Sequence, residues 1–442
     1  MQVCCDPMDR RYRRWLAFAS ARLTRAMATA RQAVLTDVDV TTDQRVANLA
    51  EAEAFAASAA ELGAAVAKIA QVRAYLDVAG VATTGEARAM LARLWDRMPP
   101  RPASVIRGVV EAELGAPIAD RFAKWDDTPI AAASLGQVHA AEDADGKRFA
   151  VKVQYPGVAE SLRDDLSSAS LLRRVVGAQL GPGAATDTLE VMRAQLLGEL
   201  DYVAEAGWLE RFRLLLGADK TIAVPRVDRA RSTARVLTME RLDGQTLPAL
   251  ADGGDLEARN RAATAIFRFA FGAPLQHGIF NADPHPGNYL VLDGAIGFVD
   301  FGSAAELTPE MRAADHQLFL SMIHRDGEAL RHAANLEGLV ADAKVFEGSI
   351  WREWEQTLAA PFLRRGEVTL SPAHVGRVIT LTGELLRARR IALPPGAMLL
   401  WRQRLGALAV LAGLRPKLNF RKLLAGLLDD GRNPIVLYDR WR

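Results

Sequence analysis

The stretch FNADPHPGNYLVLDGAIGFVDFGSA, Phe280–Ala304, decides how the whole chain is read. Two short apolar runs, Tyr289–Leu292 and Ile296–Val299, flank Asp293-Gly294, a strong signal for a tight β-hairpin turn. Asp283 stands before the first run and Asp300 closes the second, while Pro284, Pro286 and Gly287 make the segment up to Asn288 too stiff for a helix. A carboxylate and an amide oxygen on a loop, facing a second carboxylate across a hairpin, supply hard oxygen ligands of the kind Mg²⁺ takes beside phosphates. Asn288 and Asp300 are therefore candidate metal ligands. Asp283 remains as the candidate catalytic group, able to orient or deprotonate an attacking hydroxyl.

Upstream lie the parts such a site would need. SLGQVHAAED and KRFAVKVQY alternate as two strands joined by Asp145-Gly146. Alternation puts Lys152 on the face opposite Val151 and Val153, where its ammonium can point into a cleft. Before it, AAASLGQVH (Ala131 to His139) offers small residues at the mouth of a strand pair, where backbone N–H groups can approach a polyphosphate. A lone strand lysine or an isolated alanine run would be ordinary. The ordered set Lys152, Asp283, Asn288, Asp300, in matching secondary structure, is a phosphoryl-transfer pattern.

Composition sets the outer limits. A chain of 442 residues, half of them hydrophobic and 24% charged, can build two or three packed units. The formal charge of +2 gives no global field for nucleic acid. Cys4 and Cys5, the only cysteines, are adjacent and supply neither a disulfide framework nor a cysteine zinc site, which favours a reducing, cytoplasmic setting. No histidine has metal-ligand spacing with another. No apolar run is expected to reach the roughly 18 residues of a membrane span, since Ala262–Leu275 and Leu405–Leu414 are short. The start lacks a signal-peptide pattern. Between Arg10 and Thr36 stand seven arginines and no acidic residue, interleaved with Trp15, Leu16, Phe18, Leu23 and Met27. Two readings stay open: a peripheral helix on an anionic membrane or a transit peptide, and a solvated helix packed on the protein, which the spread of arginines around the helix favours.

The expected organisation has four parts: a basic segment over 1–42, a helical extension over 43–125, a strand-rich lobe over 126–241 and a helical lobe over 242–442. Within the first lobe, helices are expected over Gly157–Leu180 and Asp187–Leu216, and closing strands near Ile222–Val227 and Ala234–Glu240. The fold class is α+β, a small β-rich lobe on a helical one, with the chemistry at their junction.

Over Glu61 to Leu307 the sequence resembles the UbiB family, also called AarF or ADCK, of atypical protein-kinase-like proteins. PIAAASLGQVHAA is similar to the family's alanine-rich loop, ELDYVAEA (Glu199 to Ala206) to its ExD segment, and DPHPGN and VDFG to its catalytic and metal loops. The resemblance implies a protein-kinase-like two-lobe fold that binds ATP and Mg²⁺. It implies that Lys152 pairs with Glu205 and meets the α/β-phosphates. Ala131, Ala132, Ala133, Ser134 and Gln137 would line the nucleotide, and Met239 and Glu240 would begin the adenine-binding hinge. The family's KxGQ extension is matched by KIAQ, where Lys68 and Gln71 stand but Ala70 replaces the glycine. The resemblance implies that Lys68 pairs with Glu199 and Asp201, covering the site where a protein substrate would enter. Three functions follow. One is an ATPase or small-molecule kinase supporting isoprenoid-quinone or lipid metabolism, with a lipid or quinone-precursor ligand. The others are a true protein kinase, against which the alanine loop and the extension argue, and a nucleotide-binding pseudoenzyme scaffold, against which the retained site residues argue.

Overall fold

Strand alternation organises the first lobe. The computed structural model describes residues 100–132, 135–167, 186–340, 343–388, 390–392 and 394–429. The basic N-terminal segment, Lys68, Gln71, Ala133 and Ser134 lie outside them.

Helix α1 (Ala103–Leu114) precedes strands β1 (Lys124–Ala132), β2 (Gly136–Glu142) and β3 (Arg148–Gln154), with Gly146 of the β2–β3 turn at φ 79°. β1 starts ahead of the expected lobe boundary, and α1 packs behind the sheet, placing Ile106 and Val110 against Phe149, Val151 and Val153. Helix α2 (Val158–Ser167) follows, then α3 (Thr186–Gly198) and α4 (Tyr202–Leu216). The single helix expected over Asp187–Leu216 is therefore broken. Asp201 leaves helical geometry (φ −98°, ψ 84°), and its carboxylate accepts the Ala204 N–H as the N-cap of α4.

Strand β4 (Ile222–Ala223) does not close the first lobe as the sequence suggests. It runs parallel to a strand of the second lobe, and beyond it only Val227 forms a bridge, to Met239. Pro225 explains the break, because it has no N–H to give a ladder. Strand β5 (Val236–Glu240) does join, giving the antiparallel-paired order β1-β2-β3-β5.

After the connecting strand β6 (Gln245–Thr246), helix α5 (Leu256–Phe267) runs into a π-helical stretch, Arg268–His277, which contains Pro274 and ends at Gly278, φ 71°. The widened turn seats Phe269 flat on Phe298, ring centroids 3.8 Å apart. Strands β7 (Ile279–Asn281), β8 (Tyr289–Val291), β9 (Ile296–Phe298) and β10 (Ala304–Glu306) form the expected hairpin and its flanks. The hairpin belongs to a sheet of order β4-β9-β8-β6, and β7 pairs with β10.

Helices α6 (Pro309–His324), α7 (Gly327–Leu336), α8 (Ser349–Leu363), α9 (Pro372–Arg387), α10 (Pro395–Leu414) and α11 (Phe420–Leu428) complete the second lobe. One expectation is corrected here. Gly396–Leu414 is 19 residues long and apolar enough to cross a membrane by length and composition, but 78% of that window is buried inside the protein. It is the central packing helix of its lobe.

Within α10, Arg404 forms a two-pronged ion pair with Asp315 of α6, both almost fully buried, and its guanidinium lies 4.6 Å from the Phe319 ring centre. Burial, with Asp315 adding, pushes the Glu337 carboxyl beside this pair well above the usual range, and Trp401 Nε1 donates to it at 3.2 Å. Breaking a buried pair from one side leaves a charge without its partner, which costs about 3–5 kcal/mol. Asp315→Ala should lower the thermal midpoint by several degrees in a calorimetric scan, and an unchanged midpoint would show that the pair does not hold the helical lobe.

Candidate active site

The register of β2, β3 and β5 aims Lys152. Val138, Lys152 and Leu237 are mutual partners across the sheet and so share one face, while Gln137, Val151 and Val153 occupy the other. On the cleft face the Lys152 ammonium reaches both Glu205 carboxylate oxygens, at 2.8 and 2.9 Å, and Asp300 Oδ2 at 3.3 Å. It also lies 5.1 Å from the ring centre of Tyr202. Burial opposes the lysine charge, but Asp300 and Glu205 outweigh it and hold the ammonium well above its usual pKa.

Glu205 stands in the first turn of α4 and is 1% exposed. Burial pushes its carboxyl up to about 7 against the pull of Lys152, with Asp300 adding. The Phe301 N–H donates to Glu205 Oε1 at 3.4 Å, and the Phe301 ring packs 4.8 Å from Phe212 of the same helix. One carboxylate therefore ties sheet, helix and the VDFG loop together.

The hairpin brings the remaining groups into line. Tyr289 pairs with Phe298, and the Val299 N–H donates to the Asn288 carbonyl at 3.2 Å, so Asn288 lies beside the residue that precedes Asp300. Asn288 Nδ2 donates to Asp283 Oδ2 at 2.8 Å, which keeps its amide oxygen available as a ligand. Asn281 couples the two acids from behind: its Nδ2 donates to the Asp300 carbonyl at 2.6 Å, and its Oδ1 accepts the Asp283 N–H at 3.2 Å. His285 braces the turn by accepting the Gly287 N–H on Nδ1 at 3.1 Å. Gly302 leaves room for this convergence, since a Cβ there would lie 3.4 Å from Asp300 Oδ1, 3.6 Å from Glu205 Oε2 and 3.7 Å from Glu199 Cα.

Other expected site residues divide. Ala131 and Ala132 end β1, opposite Val138 and Gln137, at the mouth of the strand pair. Met239 shares the face of Lys152, and Glu240 follows it at the end of β5, with its N–H donated to the Arg226 carbonyl at 2.8 Å. Gln137 is corrected as a nucleotide contact. Its side chain turns to the rear face, 1% exposed, where it bonds the Arg101 N–H and the His139 ring, each at 2.8 Å. Glu199 and Asp201 do not share a helix: Glu199 lies beside the VDFG loop, while exposed Asp201 caps α4. Their expected pairing with Lys68 falls outside the described residues.

Three further residues belong to the site. Tyr202 sits under Lys152, and Ala150 lies on the cleft face two residues before it; strand alternation in the sequence was enough to find Ala150. Arg402, from α10, donates from Nη2 to Asp283 Oδ1 at 3.2 Å. At 119 residues' separation, no local pattern points to it.

A strand-borne lysine paired to a helix glutamate, above a catalytic-type loop and a VDFG metal-type loop, defines a protein-kinase-like two-lobe fold. Residues 93–334 match the ABC1 atypical kinase-like domain, and the chain belongs to that family. An aarF domain-containing protein kinase of Arabidopsis thaliana, chloroplastic and uncharacterised, is 35% identical over 54% of this chain and 34% of its own length. The mitochondrial atypical kinase COQ8B of Rattus norvegicus is 31% identical over 71% of this chain and 60% of its own. The chain thus spans about a third to three fifths of the length of these relatives. Among solved structures, the Rv3197–erythromycin complex from Mycobacterium tuberculosis is 25% identical with TM-score 0.61, over 88% of this chain and 98% of that one.

The raised Glu205 carboxyl has a measurable sign. A group that takes up a proton more readily folded than unfolded contributes stability that is full below its unfolded pKa of 4.5 and is lost as pH rises through about 7. Between about pH 4.5 and pH 7 the wild-type protein should therefore lose thermal midpoint relative to Glu205→Gln, and the two should run parallel above that. Parallel midpoint–pH curves would show that Glu205 does not titrate in that window.

Proposed function

We propose that the protein binds ATP with Mg²⁺ in the cleft between its lobes and transfers the γ-phosphoryl group to a small-molecule acceptor or to water. The observation that carries this reading is the convergence of Lys152, Glu205 and Asp300 within 3.3 Å, with Asn288 and Asp283 joined within the loop that leads into the hairpin. Lys152, held charged and fixed by Glu205, would meet the α/β-phosphates, and Ala131 and Ala132 would present backbone amides to them. Alanines restrict the positive φ angles that glycines allow, so the loop would grip phosphates differently from a glycine-rich one. Ala150 and Met239 offer an apolar wall to the base, with the hinge starting at Glu240.

The donor set fits Mg²⁺. Asp300 and the amide oxygen of Asn288 are hard ligands, and Mg²⁺ commonly takes one or two protein carboxylates beside phosphates and water. The charge balance fits as well, because Glu205, Asp300 and Asp283 outnumber the two cations they meet, Lys152 and Arg402. When bound, the ion would neutralise phosphate charge. Asp283 would hold the attacking hydroxyl or water by its proton, and Lys152 would hold the nucleotide in line.

Support of isoprenoid-quinone or lipid metabolism rests on the family resemblance, and makes a quinone-precursor phenol or a lipid the ligand to test. The neighbour's complex with erythromycin adds that macrolide to the series. Peripheral membrane contact through Arg10–Arg31 belongs to the same proposal, and would need anionic lipid and weaken with salt.

Purified protein should release phosphate from ATP only with Mg²⁺, and faster with anionic liposomes or quinone-precursor phenols. Asp300→Asn should cut turnover by about tenfold or more, because it removes the charge that holds the metal. Full turnover in that variant would take Asp300 out of the site.

A further inference from the structure

The acid proposed for catalysis is gripped from outside the region that defines the family. The Asp283 carboxylate carries two side-chain donors: Asn288 Nδ2 on Oδ2 at 2.8 Å and Arg402 Nη2 on Oδ1 at 3.2 Å. The first comes from its own loop. The second comes from α10, well beyond the match that ends at residue 334.

The Arg402 side chain is only 10% exposed, against 30% for Asp283, so the contact is not a solvent-screened surface pair. One helical turn further, Gly406 faces the next residue of the same loop. A Cβ at Gly406 would lie 2.1 Å from Pro284 Cγ and 2.9 Å from its Cβ, inside a rigid ring that cannot swing away. Arg402 and Gly406 therefore form one docking face on α10, with a guanidinium for Asp283 and a gap for Pro284. A turn before them, Leu399 and Leu400 pack on Phe280 and Ala282, which lead into Asp283. Three successive contacts run along one helix onto one loop.

We propose that Arg402 is a positioning residue that sets the Asp283 carboxylate for its part in phosphoryl transfer, making α10 a working part of the active site. An aspartate must present a defined oxygen to the hydroxyl or water it orients, and small misplacements are costly. Asn288 alone fixes one oxygen and leaves rotation about the Cβ–Cγ bond; the second donor removes it. The guanidinium acts on Asp283 and not on the groups proposed for the nucleotide, so its loss should act on the chemical step and spare nucleotide binding.

This inference rests on the proposed reaction, and the test separates the two. ATP turnover and the affinity for a non-hydrolysable Mg-ATP analogue are measured on wild type, Arg402→Gln and Arg402→Lys, with thermal midpoints alongside. In Arg402→Gln, kcat should fall on the order of tenfold or more while KM and analogue affinity stay within about threefold. Arg402→Lys, which keeps a charge but loses the fork, should recover part of kcat. Equal kcat in all three proteins overturns the role of Arg402, and so does a parallel loss of kcat and analogue affinity, which marks a merely structural residue. Should Arg402→Gln fail to fold, Arg402→Lys carries the test alone: intermediate kcat at unchanged affinity supports the role, and wild-type kcat refutes it. A wild-type protein that neither binds nor turns over Mg-ATP removes the functional reading and this inference together.

Discussion

The buried ion pair of Lys152 and Glu205 is the constraint on which the site depends. Taking both charges out of water is expensive, and a lone partner left behind would cost about 3–5 kcal/mol. The surroundings offset that cost. Asp300 supplies a second anion to the lysine, Tyr202 offers its ring face, and the Phe301 N–H donates to the glutamate. Tyr202 stands on α4 with Glu205, and Asp300 and Phe301 on the VDFG loop, so satisfying one pair fixes a strand, a helix and a loop at once. The aromatic contact between Phe212 and Phe301 then supports from behind what the charges align in front.

A second constraint works below the cleft. Hairpin register places Asn288 next to Val299 and thus Asp300, while Asn281 bridges Asp283 and Asp300 through one amide. Because every group is held by a neighbour within the same two loops, the geometry is prepared before any nucleotide arrives, which is where electrostatic stabilisation of phosphoryl transfer gains most. The long helix α10 closes the arrangement by bringing Arg402 to Asp283 and burying its apolar length in the second lobe.

Local chemistry was legible in the sequence and long-range chemistry was not. The Asp293-Gly294 turn, the alternation around Lys152 and the stiff Asp283–Asn288 loop all speak through neighbouring residues, and the structure follows them. The break at Asp201 carried a readable cap that helical periodicity overrode. Pro225 forbade the strand that the apolar run Ile222–Val227 suggested. Gln137 went to the rear because it pairs with Val153, which alternation sets on the face opposite Lys152. Arg402 and the burial of Gly396–Leu414 had no local signal, since both are decided by what packs against α10.

The central claim is that these loops form a nucleotide site that needs a divalent cation. Calorimetric titration of a non-hydrolysable ATP analogue into the intact protein, with Mg²⁺ and then with a chelator, tests it most directly. The account predicts one-to-one binding that is lost or strongly weakened when the metal is removed. Equal affinity in chelator, or no binding in either condition, would contradict it.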